Sequence, residues 1–163
     1  MAENFENAVV ALLPNLRRFA LSLCRNSHTA DDLVQGTCEK AFANKLSFQP
    51  GTRLDAWLFR ILRNLWIDRL RKDKNEGQAE DIDEMAEIPE GTGDPVAETQ
   101  LLLRQVSDLI TKLPQVQREV IMLVCVEDLS YKEAAETLDV PIGTVMSRLA
   151  RARQEILRLA GIT

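Results

Sequence analysis

The residues best suited to chemistry lie near the C-terminal end, where hydroxyl and guanidinium side chains recur. Thr144, Ser147 and Arg151 are separated by three and four residues, so they would share one side of a helix. Arginine donates to guanine edges and to phosphates, and serine and threonine can reach either. Residues 141–163 carry four arginines against one acid, Glu155. This pattern indicates hydrogen bonding to nucleic acid.

Residue sets typical of catalysis or metal binding are not apparent in the sequence. His28 is the single histidine, and we expect it in a loop; the three cysteines are too widely spaced for a zinc module. There is no glycine-rich phosphate loop. Asp31 and Asp32 are adjacent and would diverge by about 100° on a helix. The sequence therefore predicts no enzymatic activity, no cofactor and no metal.

A helix-turn-helix is predicted to position the C-terminal side chains. Ser130 to Glu133 has the form of a capping box, and an amphipathic run follows it. After a break at 139–141, a second helix is predicted, with an apolar stripe at Val145, Leu149, Ala152 and Ile156. Ala134 and Gly143 are expected to let the two helices approach closely. An ordinary helical hairpin with a basic surface is the alternative.

A separate helical unit is predicted over residues 1–74, which hold twelve basic and eight acidic residues. Amphipathic spacing predicts three helices, at about residues 5–25, 29–44 and 53–72. Thr29 is the expected N-cap of the second helix. The third helix has a core stripe at Leu54, Trp57, Leu58, Ile61, Leu62 and Leu65. Trp66 lies away from that stripe, beside basic residues, and we expect it to be exposed to a partner or a base.

Residues 75–100 differ from both flanking segments. They contain nine acids and no lysine or arginine, together with five glycines and prolines. Such a composition predicts a solvated, extended linker, although Ile82, Met85 and Ile88 would also fit a transient helix. The fold class expected is therefore all-α, with two small helical domains (1–74 and 101–163) joined by an acidic flexible linker. The net charge of −5 does not exclude nucleic acid, because charge acts locally.

Targeting signals are also not apparent. The N-terminus is acidic and has no basic-then-apolar leader. The longest apolar run, Val120–Val126, is far shorter than a membrane span. We therefore expect a cytoplasmic protein that does not insert into a membrane.

Several strings, taken in order, resemble one known family. They are Asp-Leu-Val-Gln-Gly-Thr-Cys-Glu-Lys-Ala-Phe at 32–42, the segments 48–57, 64–72 and 130–135, and Gly-Thr-Val-Met-Ser-Arg-Leu-Ala-Arg-Ala-Arg at 143–153. The sequence resembles the bacterial extracytoplasmic-function (ECF) sigma factors over nearly its whole length. The resemblance implies binding to core RNA polymerase, promoter recognition, DNA melting and transcription initiation in a stress response. It also implies an anti-sigma protein as a further partner.

The resemblance also implies three sets of binding residues. The core polymerase would contact one flank of the second helix, at Asp32, Gln35, Gly36 and Glu39. The −10 promoter element, hereafter the proximal element, would be bound by Ser47, Phe48, Gln49, Arg53, Arg60, Arg63, Asn64, Arg71 and Lys72. The −35 element, hereafter the distal element, would be read by Thr144, Met146, Ser147, Arg148, Arg151 and Arg153.

Two other functions are compatible with parts of the sequence. The first is a helix-turn-helix regulator that binds duplex DNA alone, which would leave the Asp32 flank and Trp66 without a role. The second is a sigma-like decoy that sequesters an anti-sigma protein. A decoy would not need the arginines of the last helix, and they are present.

Overall fold

A computed structural model describes residues 2–76 and 97–162, and all regular elements in these ranges are helical. The helices are α1 (Ala2–Ala11), α2 (Leu13–Cys24), α3 (Ser27–Ala43), α4 (Leu54–Glu76), α5 (Ala97–Thr111), α6 (Gln115–Val120), α7 (Tyr131–Leu138) and α8 (Ile142–Leu159). A short 3-10 turn spans Lys45–Ser47, and a π-helical segment, Ile121–Val126, continues α6. The all-α prediction is confirmed. The predicted linker lies, apart from its ends, outside the described residues.

The first predicted helix is two helices in the structure. The chain turns at Leu12, and Pro14 follows in the first turn of α2, where its missing N–H breaks no helical hydrogen bond. At the other end of α2, Arg25 adopts a left-handed conformation with φ of 56° and donates its N–H to the carbonyl of Leu21. Proline therefore begins a new helix here rather than interrupting one.

The start of α3 corrects two expectations. Asn26, not Thr29, is the N-cap, because the Asn26 side chain accepts a hydrogen bond from the Thr29 N–H at 2.9 Å. Thr29 is buried inside the first turn. His28 consequently lies on the helix and not in a loop, and its imidazole is exposed 4.0 Å from Asp32.

Helix α4 is covered on more sides than its apolar stripe predicts. Leu58 and Leu62 are fully buried as expected, but so is Phe59, which packs edge-on against Phe19 of α2 at 5.2 Å. The expectation of an exposed Trp66 is wrong, since only 6% of this residue is exposed. Helix α4 packs against α7 in addition to α2 and α3, so more than one of its sides is covered.

The helix-turn-helix forms as predicted in α7 and α8. The Glu133 N–H donates to Ser130 Oγ at 3.0 Å and the Ser130 N–H donates to Glu133 Oε1 at 2.8 Å, which completes the capping box. Val145, Leu149 and Ala152 are buried and Ile156 is partly buried. Ala134 is also buried, whereas Gly143 faces open space, so the expectation that Gly143 brings the helices together is wrong.

The two halves of the described structure pack against each other, which the sequence did not indicate. We call residues 2–76 the N-terminal lobe and residues 97–162 the C-terminal lobe. Helix α4 contacts α7, and α2 contacts both α6 and the π-helical segment. The predicted picture of two lobes connected only through a linker is therefore incomplete.

Glu133 gives the capping box a pH dependence. The hydrogen bond from the Ser130 backbone N–H holds the pKa of Glu133 below its ordinary value, with a smaller contribution from Arg53. A lowered pKa stabilises the folded state above the ordinary pKa of about 4.3, and this stabilisation is lost as the pH falls through the folded-state value. We expect Glu133→Gln, which keeps an acceptor but removes the charge, to cost about 0.3–1 kcal/mol at neutral pH.

Thermal unfolding from pH 7 to pH 3 tests this expectation. The difference in Tm between the wild type and Glu133→Gln should shrink as the pH falls, because the protonated wild-type carboxyl then resembles the amide. The control is Glu136→Gln, an exposed position on the same helix, for which we expect little change in Tm at either pH. A difference that stays constant over the whole range would contradict the assignment.

Candidate nucleic-acid interface

Helix α8 brings the six predicted distal-element residues together. Met146, Ser147, Arg151 and Arg153 are exposed, and Thr144 and Arg148 are half-buried. Ser147 Oγ donates to the Thr144 carbonyl at 3.2 Å, which leaves the hydroxyl oxygen able to accept. The helix is anchored by its buried stripe, so its cations and hydroxyls project from a rigid support. This arrangement suits contacts with base edges and phosphates in a groove.

The predicted loop between α3 and α4 is fixed by aromatic packing. The Phe48 ring is 5.4 Å from Trp57 and 6.0 Å from Phe5, measured between centroids. Phe48 therefore holds the loop in place and is half-buried, whereas Ser47 and Gln49 are exposed. A rigid loop with exposed polar side chains can hold an unstacked base without first having to be ordered.

The predicted cations of α4 divide into two groups. Arg60, Asn64, Arg71 and Lys72 are exposed. Arg53 and Arg63 are instead engaged by the C-terminal lobe. Arg63 Nε donates to Glu119 Oε2 at 2.8 Å, and Arg53 donates to the backbone carbonyls of Asp128 at 2.6 Å and Glu127 at 3.1 Å. The structure therefore does not bring all the predicted proximal-element residues to one free surface.

The predicted polymerase-binding flank lies on α3. Asp32, Gln35 and Glu39 are exposed, and Gln35 Nε2 donates to Glu39 Oε1 at 3.3 Å. Gly36 is half-buried beside α4, and a Cβ added to it would lie 3.2 Å from Leu65 Cδ1. A cleft between the two helices is lined by Asp32, Leu33, Gly36, Leu65, Asp68, Arg69 and Lys72. The flank is thus an acidic ridge beside a shallow apolar cleft.

Within 2–76 and 97–162, no three or more His, Cys, Asp and Glu side chains are grouped so that they could hold a metal ion. No helix in the same two ranges combines the length and the apolar character needed to cross a membrane.

Comparison with known proteins decides the family. The model for Sigma-70 region 2 matches residues 8–76, and the model for Sigma-70, region 4 matches residues 103–156. The ECF RNA polymerase sigma factor EcfG of Rhodopseudomonas palustris is 38% identical over 159 residues, which cover 98% of this chain and 86% of that protein. The chain belongs to the ECF RNA polymerase sigma factors. The prediction of this family, made from the sequence, is confirmed.

Other relatives of this sigma factor agree. SigW of Bacillus subtilis is 34% identical over 80% of this chain and 75% of that protein. Among solved structures, RpoE in complex with the anti-sigma factor NepR from Bartonella quintana is 36% identical, with a TM-score of 0.78 and 98% of each chain covered. CnrH in complex with the cytosolic domain of CnrY is 26% identical, with a TM-score of 0.68 over 99% of this chain and 90% of that one.

Membership of this family answers several of the questions that the sequence raised. Sigma factors are transcription initiation factors that act with core RNA polymerase on promoter DNA and are not enzymes. The predicted partners, core polymerase and promoter DNA, and the prediction that the chain is not an enzyme are therefore confirmed. The organisation into two helical domains is confirmed as well, since regions 2 and 4 match separate segments. The boundaries at 74 and 101 stay predictions.

The sequence did not reveal the carboxylates that join the lobes of this sigma factor. Glu127 is 4% exposed and accepts hydrogen bonds from Arg18 Nη2 at 2.7 Å, Arg18 Nε at 2.9 Å and Asn15 Nδ2 at 2.9 Å. The position of Glu127 in the sequence could have indicated its burial. An acid directly after the apolar run Val120–Val126 lies at the edge of a core and requires a partner. Periodicity alone does not identify that partner.

Arg118 strengthens the same contact between the lobes. Its guanidinium donates to the backbone carbonyl of Ser22 in α2 and to that of Leu113 at 2.8 Å. Only 6% of Arg118 is exposed, and burial lowers its pKa below the ordinary value. Carbonyl oxygens from both lobes therefore offset the cost of burying this charge.

The contribution of the ion pair between Arg63 and Glu119 to stability can be tested, with Arg60 on the same helix as the control. Removing Arg63 leaves the Glu119 carboxylate, 3% exposed, with the weaker Gln115 hydrogen bond alone. Breaking a buried ion pair on one side is costly, and we expect Arg63→Ala to lower the free energy of unfolding by up to about 3 kcal/mol. Arg60→Ala, at an exposed position one turn away, should change it little. Urea unfolding measures both, and equal effects would contradict the buried pair.

Proposed function

We propose that this sigma factor directs core RNA polymerase to specific promoters, opens the DNA there and starts transcription. The observation that supports this most directly is the presence, in one chain, of an exposed basic helix α8 and a second basic surface on α4. Two DNA-binding surfaces with different chemistry suit a protein that reads duplex DNA at one place and holds opened DNA at another. Neither a simple regulator nor a decoy needs both.

The distal element is read by α8. Its first turns would enter the major groove, where Arg148 and Arg151 reach guanine edges or phosphates and Thr144 and Ser147 add shorter hydrogen bonds. Arg153 would contact the neighbouring phosphates. Met146 is 52% exposed, and an apolar side chain at this position suits the methyl group of thymine.

The proximal element is held by the loop and by α4. Extruding one base from the stack costs a few kcal/mol, so its new environment must supply contacts that compensate. The fixed loop offers the exposed side chains of Ser47 and Gln49 to the extruded base. Phe48 holds the loop in place by packing against Trp57. Along α4, the exposed basic and polar side chains would bind the adjoining strand: Arg60, Asn64, Arg71 and Lys72.

Core polymerase is contacted through α3. Asp32, Gln35 and Glu39 form an exposed acidic edge, which suits a basic helical surface on the polymerase. Gly36 leaves room beside this edge for a side chain of the partner, because the cleft next to it is open. These contacts would carry the two DNA-binding surfaces to the enzyme.

An inhibitory partner is part of the proposal. The similar sigma factor RpoE is bound to the anti-sigma factor NepR, and CnrH, whose structure is also similar, is bound to the cytosolic domain of CnrY. We infer that an anti-sigma protein likewise holds this chain inactive until a stress releases it. The cytoplasm, where core polymerase and the chromosome meet, is the proposed location.

Transcription with purified components tests the function. The full chain is mixed with core RNA polymerase and genomic DNA fragments, and RNA 5′ ends are mapped. We expect a set of starts that is absent with core polymerase alone and is reduced by Asp32→Lys, which reverses one charge on the proposed polymerase flank. Without new starts, the stand-alone regulator or the decoy would be the better explanation.

Arg151→Ala tests the assignment of α8. We expect weaker binding to a fragment from a mapped start and a slope of log K against log salt that is smaller in magnitude by about 1, since one cation no longer displaces counterions. Arg158→Ala is the control on the same helix, because Arg158 is paired with Glu155 near the C-terminal end. An Arg151→Ala slope equal to that of the wild type would show that Arg151 does not contact DNA.

A further inference from the structure

Leu46 is the most exposed large apolar residue in the described parts of the chain. It lies in the 3-10 turn Lys45–Ser47, and 96% of it is exposed, whereas Ile162, the next in order, is 64% exposed. An apolar side chain stabilises a fold only when it is buried, so Leu46 contributes almost nothing to this one. Single exposed apolar residues are common on protein surfaces. The surroundings of Leu46 must therefore show whether it has a role.

Hydrogen bonds fix the backbone on both sides of Leu46. The Ser47 N–H donates to the Asn44 carbonyl at 2.8 Å, and the Phe48 N–H donates to the Lys45 carbonyl at 3.2 Å. The backbone N–H of Asn44 and its side-chain amide both donate to one carbonyl in the last turn of α3, at 3.0 Å and 2.9 Å. The turn therefore continues directly from α3, and it carries Leu46 at a defined position.

Aromatic rings anchor the same turn to three helices. Phe48, two residues after Leu46, contacts Trp57 of α4 and Phe5 of α1. The Phe5 ring also lies 6.2 Å from Trp57 and 6.3 Å from Phe42 of α3, edge-on in both cases. We call Phe5, Phe42, Phe48 and Trp57 the aromatic anchor. Since Leu46 is almost wholly exposed, it projects from this anchor without being part of it.

The neighbours of Leu46 suit contact with DNA. Lys45, Ser47 and Gln49 are exposed and can bind phosphates or base edges. Leu46 lies among them but is not one of the predicted proximal-element residues. Its side chain has no hydrogen-bonding group, so the part of opened DNA that it can contact favourably is the apolar face of a base. Proteins that unstack DNA insert apolar side chains, leucine among them, between neighbouring bases.

We propose that Leu46 is a wedge, whose side chain enters the gap that the extruded base leaves in the stack and covers the face of the adjacent base. This inference rests on the proposed function, because a wedge acts only where the chain opens DNA. The next exposed polar residues, Ser47 and Gln49, bind the extruded base while Leu46 takes its place. Phe5 is a positioning residue, which acts on DNA only through Phe48.

The rigidity of the turn decides how much a wedge can contribute. Unstacking a base is costly, and a side chain that fills the gap recovers part of this cost by burying apolar surface. A side chain on a mobile loop would first have to be ordered, and the cost of ordering would be subtracted from the gain. The hydrogen bonds of the turn and the aromatic anchor spare Leu46 most of that cost. We therefore expect Leu46 to favour the opening of DNA and not the binding of paired DNA.

Promoter opening by the full chain with core RNA polymerase tests the wedge. The probe is a duplex fragment that carries a mapped start. Binding to the paired fragment is measured by mobility shift on ice, and opening on warming is measured by the reactivity of unpaired thymines with permanganate. We expect Leu46→Ser to leave the binding unchanged and to lower the ratio of opened to bound fragment about tenfold, because the apolar contact with the base is lost.

A series of side-chain sizes separates a wedge from a structural role. Leu46→Ala should open less DNA than the wild type and Leu46→Phe should open more, because a phenyl ring covers more of a base. Thermal unfolding should give nearly equal Tm values for all these proteins, since the Leu46 side chain is almost wholly exposed. Val10→Ser is the matched control, because it removes an apolar side chain that is 57% exposed on α1, and it should change neither binding nor opening.

A double-mutant cycle tests the positioning by Phe5. Phe5→Ala removes one ring of the aromatic anchor, and we expect it to loosen the turn and reduce opening. In this background Leu46→Ser should reduce opening by a smaller factor than in the wild type, because a mobile wedge contributes less. Equal factors in both backgrounds would show that Phe5 does not position Leu46. Circular dichroism verifies that each variant keeps its helices.

The outcomes separate this inference from the proposed function. If the wild type gives no new starts, the proposed function and the wedge are overturned together. If starts appear and Leu46→Ser opens as much DNA as the wild type, the wedge alone is overturned. A native gel of each variant with core polymerase covers the remaining occupant of the exposed leucine. Loss of binding to polymerase by Leu46→Ser would assign Leu46 to a protein contact and would also overturn the wedge.

Discussion

The burial of two carboxylates, Glu119 and Glu127, determines how this sigma factor is arranged. Each is almost wholly removed from water in the C-terminal lobe, and each finds its arginine on the N-terminal lobe. A buried ion pair adds little net stability, because desolvation consumes most of the attraction, but an unpaired buried charge is very unfavourable. The pairs therefore fix the register of the two lobes more than they strengthen their association.

This balance differs from that of a large apolar interface. A large apolar interface would bind the lobes permanently, whereas contacts between domains that move resemble transient, more polar protein interfaces. The hydrogen bonds and ion pairs described here join the lobes through polar groups, with arginines of the N-terminal lobe on carboxylates and carbonyls of the C-terminal lobe. The arginines gain the same kind of partner, an anionic oxygen, whether they bind a carboxylate or a phosphate.

The features that the sequence predicted correctly depend on neighbours in the chain. The capping box at Ser130 and Glu133 is set by a three-residue spacing, and the stripe of Val145, Leu149 and Ala152 by helical periodicity. The burial of Trp66 and Arg63 depends instead on what packs against a second side of α4, which periodicity does not contain. The N-cap of α3 was predicted at Thr29 and lies at Asn26, because the position of the preceding turn, which periodicity does not contain, sets where the helix begins.

The three predicted binding surfaces are unequally exposed in this arrangement of the lobes. Asp32 and Glu39 on α3, like Arg151 on α8, are exposed. Arg53 and Arg63 on α4, by contrast, are hydrogen-bonded to the C-terminal lobe, so a partner could reach their guanidinium groups only by replacing those hydrogen bonds with its own.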